Sequence, residues 1–224
     1  MTSVFIGGSR RLGRLNDELS RRLDNIVRKR FRVLVGDAKG FDRAAQAYLA
    51  EHGYDAVVVY CTEGACRNNI GTWSVHTVAY EGRDRGRAFY TAKDDAMLRD
   101  ADYGLFAWDG KSEGTLRNIR KMAEQGKPSA VYVSPLKKFV TVRSIEDTSA
   151  LWRESGADVV GSADLYSDGM RAGSTEEAEA VVGGKSASRA PETAGGPGHH
   201  VSGPQEAQED SFQALTEHPL IRST

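Results

Sequence analysis

The chain has little of almost everything that announces a special class of protein. Among its 224 residues are two cysteines, Cys61 and Cys66, and six prolines. Two cysteines do not build the disulfide framework of a small secreted domain. Together with His76 they lack zinc-ligand spacing, so no metal is expected and Cys61 reads as a small apolar packing residue. No apolar run approaches the roughly 18 residues of a membrane span. Met1 to Arg11 has no basic-then-apolar leader pattern, because VFIG is too short. The chain therefore reads as cytoplasmic and without a membrane partner. Charge of one sign is missing too: the net charge is −1, residues 1–168 holding 26 Lys and Arg against 23 Asp and Glu, and 169–224 holding 4 against 8. Neither part has the basic excess of a general nucleic-acid binder. No long nucleic acid is expected, but a small cationic site for one anionic ligand remains open.

What is present is alternation. SVFIGG, FRVLVG and AVVVYC are short apolar runs, and YGLFAW and SAVYVS repeat the pattern further on. Between them lie helical patterns, the clearest with Leu12, Leu15, Leu19, Leu23 and Ile26 at three- and four-residue spacing. A second helix is predicted from about Asp42 and stops at Gly53, a left-handed cap. A third runs from Thr91 to Ala101, Thr91 and Asp94 being spaced as a capping box. A fourth covers Thr115 to Gln125. SVHTVAY reads as an added strand, FVTVRS as an edge strand and IEDTSALWRES as a final helix. Runs without polar alternation suit strands buried on both faces. The fold class expected is α/β: a Rossmann-like open parallel sheet with helices on both faces over residues 1–168.

Beyond Asp168 Ser, Gly, Ala, Glu and Pro dominate, a composition that cannot bury enough surface to offset the entropy of ordering. Residues 169–210 are expected to be disordered, within a low-complexity tail 169–224. SFQALTEHPLI regains Phe212, Leu215, Leu220 and Ile221, as either a short docking motif or a chain end. His199-His200 reads as a chance pair.

In an open parallel sheet ligands bind beyond the carboxyl ends of the strands. Three such ends carry glycine with polar residues. In GGSRRLG, Gly7 and Gly8 let amides approach an anion, Ser9 supplies a hydroxyl and Arg10 or Arg11 a bidentate clamp. A tight turn with solvated arginines is the competing reading, since neither a GxGxxG nor a Walker GK[ST] pattern is present. In GDAKGFD, bounded by Gly36 and containing Gly40, Asp37 can accept from ribose hydroxyls or a base edge. Asp42 is most economically a helix N-cap. In WDGKSEGTLRN, Gly110 and Gly114 bracket Ser112, and Thr115 opens a helix whose amides face an incoming anion. Asn118, one turn on, lies near the same mouth. Arg67-Asn68-Asn69 is either a ligand-facing loop or an exposed turn. Phe106 and Trp108 read as core. No Ser/His/Asp set can be assembled.

Taken in order, the GGS loop, GDAKGFD, KDDAMLRDADYGLFAWDGKSEGTLRNI and the GKPSAVYV strand resemble the SLOG superfamily, the Rossmann-like nucleotide-binding fold of Smf/DprA and Lonely Guy proteins. The likeness covers about residues 3–135 and is nearest a bacterial branch with a G-D-A-x-G-x-D motif and a G-x-x-x-G-T loop. Lonely Guy enzymes are phosphoribohydrolases that release the base of a nucleoside monophosphate. Their catalytic Arg and Glu stand in R-K-x-x-M and P-G-G-x-G-T-x-x-E. By this resemblance the Arg falls on Lys93, its neighbouring Lys on Asp94 and the Glu on Asn118. A carboxylate suits a reaction that passes through a cationic sugar, and an amide cannot take a proton. Deoxyribosyltransferases, with a comparable loop, need a Glu there as well. A relocated carboxylate would come from Asp37, Asp94, Asp95 or Asp109, with Asp109 best placed directly after its strand.

The expectation is a nucleotide or nucleoside-phosphate binder acting as a sensor, without a cofactor. A nucleotide N-glycosidase with Asp109, Lys93 and Asn118 at the chemistry is the enzymatic alternative. A scaffold that recruits a protein through its tail is the third. A homodimer stays open.

Overall fold

Valine-rich runs with no polar alternation leave a strand no solvent-facing side, and the chain stacks them side by side. The computed structural model describes residues 1–64, 66–83, 85–155 and, near the carboxyl end, 209, 212, 213, 215 and 216. Its elements are β1 (Ser3–Gly8), α1 (Asp17–Lys29), β2 (Arg32–Gly36), α2 (Phe41–Glu51), β3 (Val57–Thr62) and β4 (Ser74–Val78). They continue with α3 (Arg87–Asp100), β5 (Tyr103–Trp108), α4 (Glu113–Glu124), β6 (Ser129–Val133), β7 (Lys138–Val142) and α5 (Ile145–Glu154). The strands form one seven-stranded sheet in the order β4-β3-β2-β1-β5-β6-β7. Every neighbouring pair is parallel except β6 and β7. FVTVRS is that antiparallel edge and SVHTVAY the opposite edge. The fold is a Rossmann-like α/β sheet, as the alternation predicts.

All residues of β3 and β5 are buried, which requires helices on both faces. Alternate side chains sort between two layers. Val4, Ile6, Val33, Val35, Val57 and Val59 meet Leu19, Leu23 and Ile26 of α1 and Phe41, Ala45 and Leu49 of α2. Across the sheet, Trp108 lies 5.9 Å from the Trp152 ring of α5, and α3 and α4 pack on β3 and β5.

Phe212 and Leu215 belong to the α1–α2 layer and are fully buried. Phe212 sits 5.5 Å from the Tyr103 ring, Asn25 donates to the Leu215 carbonyl at 3.3 Å, and Arg22 donates to the Thr216 carbonyl. Arg143 holds Glu209 through both guanidinium nitrogens at 3.0 and 2.8 Å. The docking alternative for this stretch is therefore realised, and its partner is the chain's own domain. The disorder expected for 169–210 lies outside the described residues, apart from Glu209, which is helical. His199-His200, Leu220, Ile221 and the boundary at 168 lie outside them too. Among the described residues no helix is long and apolar enough to cross a membrane.

Three helix starts differ from expectation. Helix α2 starts at Phe41 behind Gly40 (φ +86°), with no side-chain cap, so Asp42 is not the N-cap. A side chain at Gly40 would strike the backbone of Arg10. Asp42 in the first turn is free to point inward instead. Helix α3 starts at Arg87, and the Thr91 hydroxyl donates to the Ala88 carbonyl at 3.1 Å rather than capping. Helix α4 is capped by Ser112, whose Oγ accepts from the Thr115 amide at 3.4 Å. Gly53, at φ +60°, ends α2 in the left-handed conformation expected of it.

Candidate functional site

From β1 the chain steps outward through β2 and β3 to β4, and from β5 it steps the other way to β6. The strand order thus reverses between β1 and β5, and the loops beyond their carboxyl ends must part there. A cleft of about 630 Å³ occupies that place. Many of the residues singled out from the sequence line it, among them Gly7, Gly8, Arg10, Asp42, Lys93, Asp109, Ser112, Gly114, Thr115 and Asn118. Ser9, Gly36, Asp37, Gly40 and Gly110 are not part of the lining.

The wall beside α4 is knitted to itself. Asp109 Oδ1 accepts from the amides of Lys111 (3.0 Å) and Ser112 (2.7 Å) and from the Ser9 hydroxyl (3.0 Å). Ser9 Oγ in turn accepts from the Asp109 amide at 3.1 Å and lies 3.4 Å from Thr115 Oγ1, which donates to Ser112 Oγ at 3.0 Å. Burial alone would raise the Asp109 carboxyl. The hydrogen bonds outweigh it and hold the group below the usual carboxylate range. Gly110, at φ +77°, makes the turn possible. Gly8 leaves no room for a side chain, since a Cβ would lie 2.6 Å from the Ala107 carbonyl oxygen and 2.7 Å from the Phe41 ring. An added Cβ at Gly114, in contrast, meets nothing within 4 Å. The first turn of α4 is open to the cleft.

The wall built by α2 and α3 is buried and charged. Lys93 Nζ donates to Asp94 Oδ1 at 2.7 Å, and Asn118 Nδ2 donates to Asp94 Oδ2 at 3.1 Å. Gly36 makes room behind them: a Cβ there would fall 2.6 Å from Asp42 Oδ2 and 2.7 Å from Lys93 Nζ. Burial pushes the Asp42 carboxyl up to about 7; Lys93 counters only part of that, and Asp94 adds to it. Burial would lower the Lys93 pKa, but Asp94 and Asp42 more than offset it, so the ammonium stays protonated. Asp95 faces away from this group, tied to Arg117 (2.7 and 2.9 Å) and Lys121 (2.9 Å).

On the β2–β3 side Asp37 is not free to accept from a sugar. Arg67 donates to it from Nε (2.9 Å), Nη2 (2.5 Å) and its own amide (3.1 Å). Burial raises the Asp37 pKa, but these hydrogen bonds bring it below the usual range. Asn68 Nδ2 donates to the Asp37 carbonyl at 2.8 Å. Arg67 lines the cleft together with Tyr90, Arg87, Asp94, Arg11 and Lys111. Cys61 is buried as expected, but it is also joined to Cys66 in a disulfide with a 5.5 Å Cα separation, just before Arg67.

Sequence reasoning left Arg67 undecided between ligand-facing loop and exposed turn, and missed Tyr90 altogether. The usable signal for Arg67 was its place soon after β3. Tyr90 carried none, because the segment read as loop until Thr91.

No protein-family model matches the chain, and no curated protein matches it. Among solved structures it is similar to a chain described under the single-stranded DNA binding mode of DNA processing protein A from Helicobacter pylori. The two share 14% identity with a TM-score of 0.47, over 75% of this chain and 80% of that one. The expectation of no long nucleic acid is corrected here, since that neighbour binds single-stranded DNA. Whole-chain charge does not describe the cleft. Six basic side chains line the cleft against four carboxylates, and a cleft focuses the field of the charges that line it.

Proposed function

We propose that the cleft binds a nucleotide or nucleotide derivative and that the protein acts as a sensor or binding module. One observation carries this reading: the open first turn of α4 meets unpaired cations at the crossover of the sheet. Arg10, Arg11 and Lys111 make no ion pair among the described residues. Helix amides with the dipole behind them favour an anion, and Gly114 lets it approach closely. The SLOG and Lonely Guy resemblance agrees with a phosphate at this place. Isothermal titration with adenosine 5′-monophosphate and ribose 5-phosphate tests it. Arg10→Ala is expected to weaken both about tenfold, the value of one charge-assisted contact. Absence of binding by the wild type to either compound overturns the reading.

A second reading, N-glycosidic hydrolysis, is favoured by the α2–α3 wall. Asp109 Oδ1 is already committed to three hydrogen bonds that brace its loop, so the carboxylates better suited to chemistry are Asp94 and Asp42. Asp94 stands between Lys93 and Asn118, the positions that resemble the catalytic pair of the Lonely Guy enzymes. Asp42 exchanges its proton near neutrality, as a general acid requires. Chromatography for free adenine decides between the two: release that disappears in Asp94→Asn while binding persists supports the enzyme, and binding without release supports the sensor.

A further inference from the structure

Tyr90 is the one large aromatic side chain in the cleft wall that packing does not explain. The residue is 41% exposed, and its hydroxyl has no hydrogen-bond partner among the described residues. Its neighbour Phe89 is buried and anchors this turn of α3, the two rings meeting edge-on at 5.3 Å. Two guanidinium groups lie over the Tyr90 ring, Arg67 at 5.4 Å and Arg10 at 5.7 Å. Both lie within the roughly 6 Å over which a ring face attracts a cation. The two arginines differ in what holds them. Asp37 occupies the donor edge of Arg67 from Nε to Nη2, so its plane is fixed while its faces are left for stacking and Nη1 for a further acceptor. Arg10 has no ion pair and can swing away.

Building on the nucleotide reading above, we infer that Tyr90 and the Arg67 plane form the platform on which the aromatic base of the ligand stacks, while Arg10 turns to the phosphate. The topology supports the span required. Tyr90 and Arg67 stand on the β2–β3 side, and the open turn of α4 on the β5 side, so a ligand bridging the crossover presents a flat group to one and an anion to the other. A face-stacking platform tolerates any base, because each has a π-face. The shared chemistry is a base on a phosphorylated sugar, from either a free nucleotide or a strand.

The test titrates the full chain and its Tyr90→Ala and Tyr90→Phe variants with adenosine 5′-monophosphate, ribose 5-phosphate and a short oligodeoxyadenylate. Tyr90→Ala is expected to weaken the nucleotide about tenfold or more, leave ribose 5-phosphate unchanged, and be rescued by Tyr90→Phe. Tighter binding of the oligodeoxyadenylate than of the monophosphate assigns the platform to a strand, and the reverse to a free nucleotide. Equal affinity of the wild type for ribose 5-phosphate and the nucleotide overturns the platform and leaves the phosphate site standing. Equal loss of both ligands in Tyr90→Ala overturns it as well. If neither compound binds the wild type, both proposals fall.

Discussion

Asp109 and Asp42 line the same cleft from opposite walls. Asp109 accepts from two amides and a hydroxyl, and these hold its carboxyl below its ordinary range. Asp42 is buried, accepts a backbone hydrogen bond from Ala38, and gives up its proton only at about 7. The same side chain is thus a loop brace on one wall and a proton reservoir on the other. Asp42 is buried and accepts one backbone hydrogen bond, whereas Asp109 is half-buried and accepts several, and both differences move the two groups apart.

The largest effect is expected from removing the cation on the proton-holding wall. Lys93→Met leaves buried Asp42 and half-buried Asp94 without their shared cation and should cost about 3–5 kcal/mol in urea unfolding at pH 7. The cost should shrink at pH 5, where Asp42 is protonated. A pH-independent loss would break the comparison. Asp109→Ala should cost about 2 kcal/mol by orphaning the amides of Lys111 and Ser112. Because its folded pKa is depressed, that contribution is full above the unfolded value near 4 and fades only as pH falls through it. The difference from wild type should therefore be flat from pH 5 to 8.

Asp42→Asn should do the opposite. A folded pKa raised to about 7 gives stability that is full below about 4 and lost as pH rises through 7. The variant should match the wild type at acid pH and gain about 1–2 kcal/mol at pH 8. A thermal shift that does not grow between pH 5 and 8 would count against a neutral-range Asp42. Smallest is Gly114→Ala, in a helical turn with open space around it. It should stabilise the fold by about 0.5–1 kcal/mol while weakening adenosine 5′-monophosphate binding. Unchanged affinity would remove Gly114 from the phosphate site.

The parallel sheet was legible because its central strands are buried, so their apolar runs have no polar alternation to obscure them. The strand-end loops were legible for the same reason, as glycine and polar clusters stand out against such runs. What each carboxylate does was not. Asp37 looks like a sugar ligand until Arg67, thirty residues away, folds onto it. Asp42 looks like a helix cap until Gly40 takes that place and Gly36 opens a chamber beneath. Tyr90 became visible only when α3 proved to start a turn earlier, at Arg87. These roles depend on contacts between loops from different strands, which no local pattern encodes.

The burial of Phe212 and Leu215 beside α1 gives the carboxyl-terminal stretch the standing of a removable part. Glu209 and Phe212 belong to the same compact unit as α5, so the sequence between has both its ends on one body. A single cut in 156–208 would not release the terminal piece, because two buried side chains, Arg22, Asn25 and Arg143 still hold it. The nicked protein would then behave as a complex of two chains, whose integrity depends on concentration as that of one chain does not.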